Sequence, residues 1–164
     1  MLSPVVMAYS YTLEISEQAL QEKLSSMLPI ERKFLVFNMT LSDPKVSLLK
    51  DTNKIGLYIA MAVTAPDGSA GTGRVNITGT LSYTPAQGAF YIADPIVENI
   101  EVDRLQLQYA TDIKMISQML VASILASHPV YTLQTDDLRQ KYLKSVLESV
   151  AVDQGKLLVT LKAF

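Results

Sequence analysis

The sequence predicts an α+β fold in which a strongly curved antiparallel β-sheet wraps around a long apolar helix, with an amphipathic helix near each end of the chain. Residues 35–109 contain successive segments of alternating apolar and polar residues, separated by turn signals. The segment Ile113–Ala126 is apolar around nearly the whole circumference of a helix, although a surface helix needs only a stripe. A chain of 164 residues is expected to have one core, and a curved sheet is the economical way to enclose such a helix.

The first ten residues stand apart from the rest of the chain. They carry no charge and end in Ala8-Tyr9-Ser10, which places small residues at the spacing that signal peptidase reads. A basic segment is absent and the apolar stretch is short. Residues 1–10 are therefore interpreted as the remnant of an export signal, as a vector-encoded start, or as part of a first strand, and residues 11–164 as a single domain.

The first helix is predicted over Glu17–Leu28, after a strand from Tyr9 to Ile15. Ser16 is a favourable N-cap, and leucines at one-turn spacing form an apolar stripe that Pro29 ends. This pattern is typical of a structural amphipathic helix that lies on a core.

The middle of the chain is predicted to be a β-meander. Asp43-Pro44 and Asp94-Pro95 are expected to interrupt the ladder, and a change of apolar phase predicts a β-bulge at Asp103-Arg104. The predicted strands cover residues 35–41, 46–48, 55–63, 75–83, 90–92 and 96–109.

The last third is predicted to hold two helices and a hairpin. Asp112 begins the apolar helix that runs to Ser127, and an amphipathic helix follows over Asp136–Ser149. The turn Asp153-Gln154-Gly155 then joins two short strands at the end of the chain.

Composition argues against several classes of protein. Hydrophobic residues make up 49% of the chain and charged residues 18%, with a formal net charge of −2 and no cluster of lysine or arginine. The field that draws proteins to phosphate backbones is missing, so no nucleic-acid partner is expected. The chain has no cysteine, which excludes disulfides and thiolate chemistry.

No pattern in the sequence indicates catalysis. His128, the single histidine, lies between a predicted helix end and Pro129, where capping explains it. Asp136 and Asp137 begin a helix, where acidic residues are favourable. The glycine-rich segment 68–73 lacks the Lys-Ser/Thr ending of a phosphate loop. We therefore predict that the protein is not an enzyme and uses neither a cofactor nor a metal.

Methionines on two predicted strand faces and on the apolar helix suggest a different role. Flexible, polarisable side chains adapt to irregular or interchangeable apolar partners, although they also fill ordinary cores. A lipid-accommodating crevice between helix 112–127 and the concave sheet face is one interpretation, and a closed core is the other. The candidate lining residues are Phe37, Met39, Ile59, Met61, Ile77, Leu81, Met115, Met119 and Ile124.

Three segments also follow one another in a familiar order. They are residues 11–20, which read as a strand and a helix start, the Pro-x-Tyr-x-Leu segment Pro129–Leu133, and the terminal segment Val150–Leu157 with its Val-x-Val-x-x-Gly-x-Leu pattern. In this the chain resembles the YceB-like bacterial lipoproteins, whose domain is similar to the tubular lipid-binding (TULIP or BPI-like) module. The resemblance implies an envelope location and a helix-in-curved-sheet fold, but no catalytic residues. The lipid-modified cysteine of these lipoproteins is missing, so either it was removed with the signal segment or this member is soluble in the periplasm.

Together these observations predict a non-enzymatic protein of the bacterial cell envelope, either periplasmic or anchored as a lipoprotein in its precursor. Its expected partner is a lipid or another hydrophobic small molecule, and association with a membrane is expected only through a lipid anchor that is not present in this chain. The alternative is a structural or adaptor protein with a closed core, whose strand edge or loops bind another envelope protein.

Overall fold

The computed structural model describes residues 9–104 and 107–163, and about 55% of these lie in β-strands. The helices of the described chain are α1 (Glu17–Met27), α2 (Ala110–Ser127) and α3 (Asp136–Lys141). The strands are β1 (Tyr9–Ser16), β2 (Ile30–Phe34), β3 (Phe37–Leu48), β4 (Lys54–Thr64), β5 (Ala70–Thr84), β6 (Ala89–Asp103), β7 (Tyr131–Thr132), β8 (Ser145–Asp153) and β9 (Lys156–Ala163).

The strands form two antiparallel sheets. The larger one has the order β2-β3-β4-β5-β6-β7, and the smaller one has the order β1-β9-β8. Alternation of apolar and polar residues gives the long strands of the larger sheet a buried face, as in β4, where Ile55, Leu57, Ile59, Met61 and Val63 are all buried. The larger sheet is therefore a layer with one face turned to the core.

The two longer helices lie on this buried face. Helix α1 packs mainly against β3, and α2 packs mainly against β6. The smaller sheet joins the same core through buried side chains such as Ile15 and Val159. At one end of the core the ring of Tyr11 stacks on Tyr142 at 4.9 Å between centroids, and the Tyr83 hydroxyl donates to the Tyr142 carbonyl at 3.0 Å.

The predicted fold, a curved sheet wrapped around an enclosed apolar helix, is wrong. The protein is mostly β, with two sheets instead of one, and α2 is covered on one side only. Met115 and Met119 are 50% and 48% exposed on its open side. The buried residues of α2 fall in one stripe, Ile113, Ile116, Ser117, Leu120, Val121, Ile124 and Leu125. The composition of the segment concealed this stripe, because methionine and alanine on the open side also count as apolar.

The predicted third helix is also wrong beyond its first turns. Helix α3 ends at Lys141, and residues from Ser145 onward form β8, paired with β9. The segment is rich in β-branched valine, which suits a strand, and tertiary pairing overrides the weak helical pattern. Thr135 caps α3 by accepting a hydrogen bond from the Leu138 amide at 3.2 Å.

Other predicted boundaries shift. Strand β6 ends at Asp103, where the bulge was predicted, and residues 107–109 form a 3₁₀ turn instead of a strand; the prediction for residues 105–106 lies outside the described residues. Strands β2 and β7 were not predicted. The first strand and helix are confirmed, with the Ala19 amide donating to the Ser16 hydroxyl at 3.0 Å. The terminal hairpin is confirmed as well, and Gln154 and Gly155 at its turn both have positive φ.

Candidate ligand-binding seam

An apolar seam runs between α1 and α2 above the larger sheet. Its walls come from the ends of the two helices and its floor from β3 and β4; the lining side chains are Leu24, Met27, Leu28, Leu41, Ile59, Val121, Ile124 and Leu125. The space inside it is about 20 Å³, enough for about one water molecule. The seam is therefore nearly closed in this structure.

Sequence spacing explains why these side chains meet. Met27 and Leu28 follow Leu24 by three and four residues, so the three side chains lie on one face of α1, with Leu28 at its C-cap. Val121, Ile124 and Leu125 repeat this spacing on α2. Within the two helices, all of whose residues are described, no hydrogen bond or ion pair joins α1 to α2. Only apolar side chains face each other across the seam.

Each helix is attached to its own strand by one glutamine. The side chain of Gln21 donates to the Pro44 carbonyl and accepts from the Val46 amide at 2.8 Å. These atoms belong to the irregular part of β3, where the register with β4 shifts and Asp43 has φ of 48°. The predicted interruption at Asp43-Pro44 is thus a bulge inside a continuous strand.

The same arrangement recurs on the other side of the seam. Gln118 of α2 donates to the Pro95 carbonyl at 2.7 Å and accepts from the Val97 amide at 2.8 Å. Asp94, before that proline, has φ of 49°. Both glutamines satisfy backbone groups that the bulge removes from the sheet ladder, so they fix where each helix lies.

A second, more polar cavity, which we call the groove, adjoins the seam and has a volume of about 800 Å³. Leu28 and Ile59 line both cavities, so the groove lies directly beside the seam. The groove also contains the exposed side chains of Lys45, Arg74 and Tyr58. In the described part of the chain, neither cation forms an ion pair with a carboxylate. The exposed carboxylate of Asp43 lines the same groove, so the groove holds two cations and one carboxylate beside the apolar seam.

The structure brings only part of the predicted lining set to one place. Ile59 and Ile124 line the seam. Five others are buried in the core without lining it, namely Phe37, Met39, Met61, Ile77 and Leu81. Met115 and Met119 point away from both, on the exposed side of α2.

Several seam residues are not among the lining residues that the sequence predicts. Leu24 and Leu28 belong to the stripe that is predicted to be structural, and Val121 and Leu125 belong to the helix that is predicted to be enclosed. One pattern in the sequence could have indicated them: apolar residues at positions i, i+3 and i+4 occur at the ends of both helices, and both ends lie over the same face of the sheet.

The titratable residues His128, Asp136 and Asp137 lie outside the seam. The Nδ1 atom of His128 is 2.9 Å from the Ile124 carbonyl at the end of α2, which confirms the capping interpretation. Asp136 and Asp137 lie in the first turn of α3, as predicted. Among the described residues, no group of three or more histidine, aspartate or glutamate side chains could hold a metal ion, and no helix is long and apolar enough to cross a membrane.

Comparison with known protein families identifies the family of this chain. Residues 15–156 match the sequence profile of a family described as "Protein of unknown function (DUF1439)". A search of curated proteins found no match. Because the matched segment covers most of the 164 residues, the chain belongs to the DUF1439 family.

Proposed function

We propose that this protein is a non-enzymatic component of the bacterial cell envelope that binds a lipid or another hydrophobic ligand in the seam between α1 and α2. The observation that supports this most is the seam itself, a purely apolar contact between two helices that are fastened to the sheet separately. The resemblance to YceB-like lipoproteins and to tubular lipid-binding modules supports a lipid ligand and a periplasmic or lipid-anchored location.

Binding would require the seam to open, because its present volume of about 20 Å³ cannot hold an acyl chain. Burial of apolar surface contributes about 0.8 kcal/mol per methylene, so about ten methylenes supply about 8 kcal/mol, the scale of a micromolar Kd before the cost of opening. No polar contact crosses between the helices, so opening the seam breaks no hydrogen bond between α1 and α2.

The groove gives this ligand a place for a polar end. A chain that entered beside Leu28 and Ile59 would leave its head near Lys45 and Arg74. Such a site would select ligands by an apolar tail and a polar or anionic head, with few directional contacts and therefore broad selectivity.

Native mass spectrometry of protein purified without organic solvent tests the proposal, with a solvent-extracted sample as control. We expect a co-purified apolar molecule before extraction, and uptake of a fluorescent long-chain fatty acid after it. Met27→Trp fills the seam wall and should weaken probe binding. Met119→Trp makes the same exchange on the exposed side of α2 and should bind as the parent protein does.

The rival function is an adaptor with a closed core, and the small volume of the seam favours it. A parent protein that emerges without any bound molecule and takes up no probe would support the adaptor and refute ligand binding. Equal loss of probe binding in both tryptophan variants would place the ligand outside the seam.

A further inference from the structure

The turn between β2 and β3 exposes two large apolar side chains next to each other. Leu35 is 70% exposed and Val36 is 57% exposed, the highest values for large hydrophobic side chains in the described part of the chain. On either side of them Phe34 and Phe37 pair across the hairpin, and buried Phe37 packs edge-on against Tyr109 at 5.5 Å. This turn, Leu35-Val36, is called the tip. Its base is held by the packing of Phe37, and its two exposed residues are apolar.

Neither the backbone conformation of the turn nor packing in the core explains why leucine and valine occupy these two positions. Leu35 has φ of 55°, a conformation that favours glycine, asparagine or aspartate. Two-residue hairpin turns are usually built from those residues because they relieve this strain. Here the sequence combines an unfavourable backbone with exposed apolar surface, which indicates a role outside the folding of the domain.

Two cations precede the tip on β2, an edge strand of the larger sheet. Arg32 and Lys33 are both exposed. The Arg32 guanidinium donates to the Glu31 backbone carbonyl at 3.0 Å, and the Glu31 carboxylate accepts from the side-chain Nδ2 of Asn38 at 2.9 Å. Lys33 forms no ion pair with a described carboxylate. The strand that leads into the tip therefore has one more positive than negative charge.

The geometry points to a membrane surface as the occupant of the tip. We propose that Leu35 and Val36 enter the interface of an anionic lipid bilayer while Arg32 and Lys33 contact its headgroups. Two side chains are far too few for a stable protein interface, which buries more than about 1,000 Å². They suit interfacial anchoring, where a small apolar end and adjacent cations act together. This contact is independent of the seam and goes beyond the proposed ligand binding.

The test uses the full chain and flotation with two kinds of vesicle, one of phosphatidylcholine alone and one that also contains phosphatidylglycerol. We expect stronger partitioning to the anionic vesicles. The double substitution Leu35→Gly with Val36→Ser should reduce partitioning by about tenfold or more. The same double substitution supplies residues that this turn favours, so the melting temperature should stay the same or rise. Loss of binding then cannot be ascribed to misfolding.

Ile96→Ser is the matched control, because Ile96 is 55% exposed but lies in the middle of β6. It should partition like the parent. The chain has no tryptophan, so Val36→Trp and Ile96→Trp each report on one position. With anionic vesicles, the tryptophan emission should shift to shorter wavelength in Val36→Trp and stay unchanged in Ile96→Trp.

Unchanged partitioning of the double variant would overturn the assignment of the tip. Equal binding of the parent to both vesicle types would overturn the role given to Arg32 and Lys33. A parent that stays free of both types would overturn the membrane proposal and favour a protein partner for the tip. The Met27→Trp variant, altered in the seam, should still bind vesicles, so failure of ligand binding and failure of membrane docking give different results.

Discussion

Helix α2 offers a direct test of whether it is covered on one side or on all sides. Ile116 and Met119 are three residues apart on this helix, and the first is 0% exposed while the second is 48% exposed. Truncating each to alanine removes apolar side-chain atoms without harming helix propensity, because alanine is the best helix former. The two variants therefore differ in burial more than in local backbone preference.

The expected losses differ several-fold. Ile116→Ala leaves a cavity in the core and should lower the free energy of unfolding by about 2–5 kcal/mol. Met119→Ala removes a half-exposed side chain and should cost less than about 1 kcal/mol. For a domain of this length a loss of about 3 kcal/mol lowers the melting temperature by about 6 to 12 °C.

Urea denaturation measures both values, with the m-value as a check that the unfolding transition keeps its character. A loss for Met119→Ala as large as that for Ile116→Ala would show that another layer covers the open side of α2. That result would refute the one-sided packing of α2, and Met119→Trp would then no longer serve as a control.

Two further predictions concern other parts of the core. Burial raises the pKa of Tyr83 above its ordinary value of 10.0, so the folded state holds that proton more tightly than the unfolded chain does. The contribution of this group to the free energy of unfolding is fully present below pH 10 and is lost as the pH rises through the pKa of the folded state. The melting temperature should therefore fall in that pH range, and it should fall less steeply in Tyr83→Phe. A Cβ atom at Gly73 would overlap the carbonyl oxygen of Glu101 on β6, so Gly73→Ala should cost about 3 kcal/mol or more by urea denaturation. Gly68→Ala meets no atom but has φ of 85°, and a cost of about 1 kcal/mol is expected; equal costs would contradict the close approach of the strands at Gly73.

Much of the local structure could be predicted because it depends on neighbours in sequence. The cap at Ser16, the apolar alternation of β4 and the turn at Gln154-Gly155 are all local signals. The division into two sheets could not be predicted, because it depends on pairing between β1 and β9, which are nearly a chain length apart. The strand character of β8 likewise depends on its partner.

The sequence predicts that the candidate site is apolar, but it predicts only some of the residues that line it. The sequence indicates apolar residues on α2 and on the sheet, but it does not indicate which turn of α1 lies opposite. The sequence correctly predicts Ile59 and Ile124 as lining residues, because both lie on apolar faces that are turned to the core. It wrongly predicts Met119, because that prediction depends on the adaptable side chain of methionine and not on its position. Residue type cannot tell on which side of a helix the protein places its partner layer.

The paired glutamine attachments have a consequence for how this architecture can vary. Gln21 and Gln118 bind main-chain atoms of the bulges, and these atoms are present whatever side chains surround them. The positions of the two helices are thus specified separately from the side chains that face each other between them. Those facing side chains can therefore be exchanged for larger or smaller ones, and the space between the helices made narrower or wider, while both helices keep their places on the sheet.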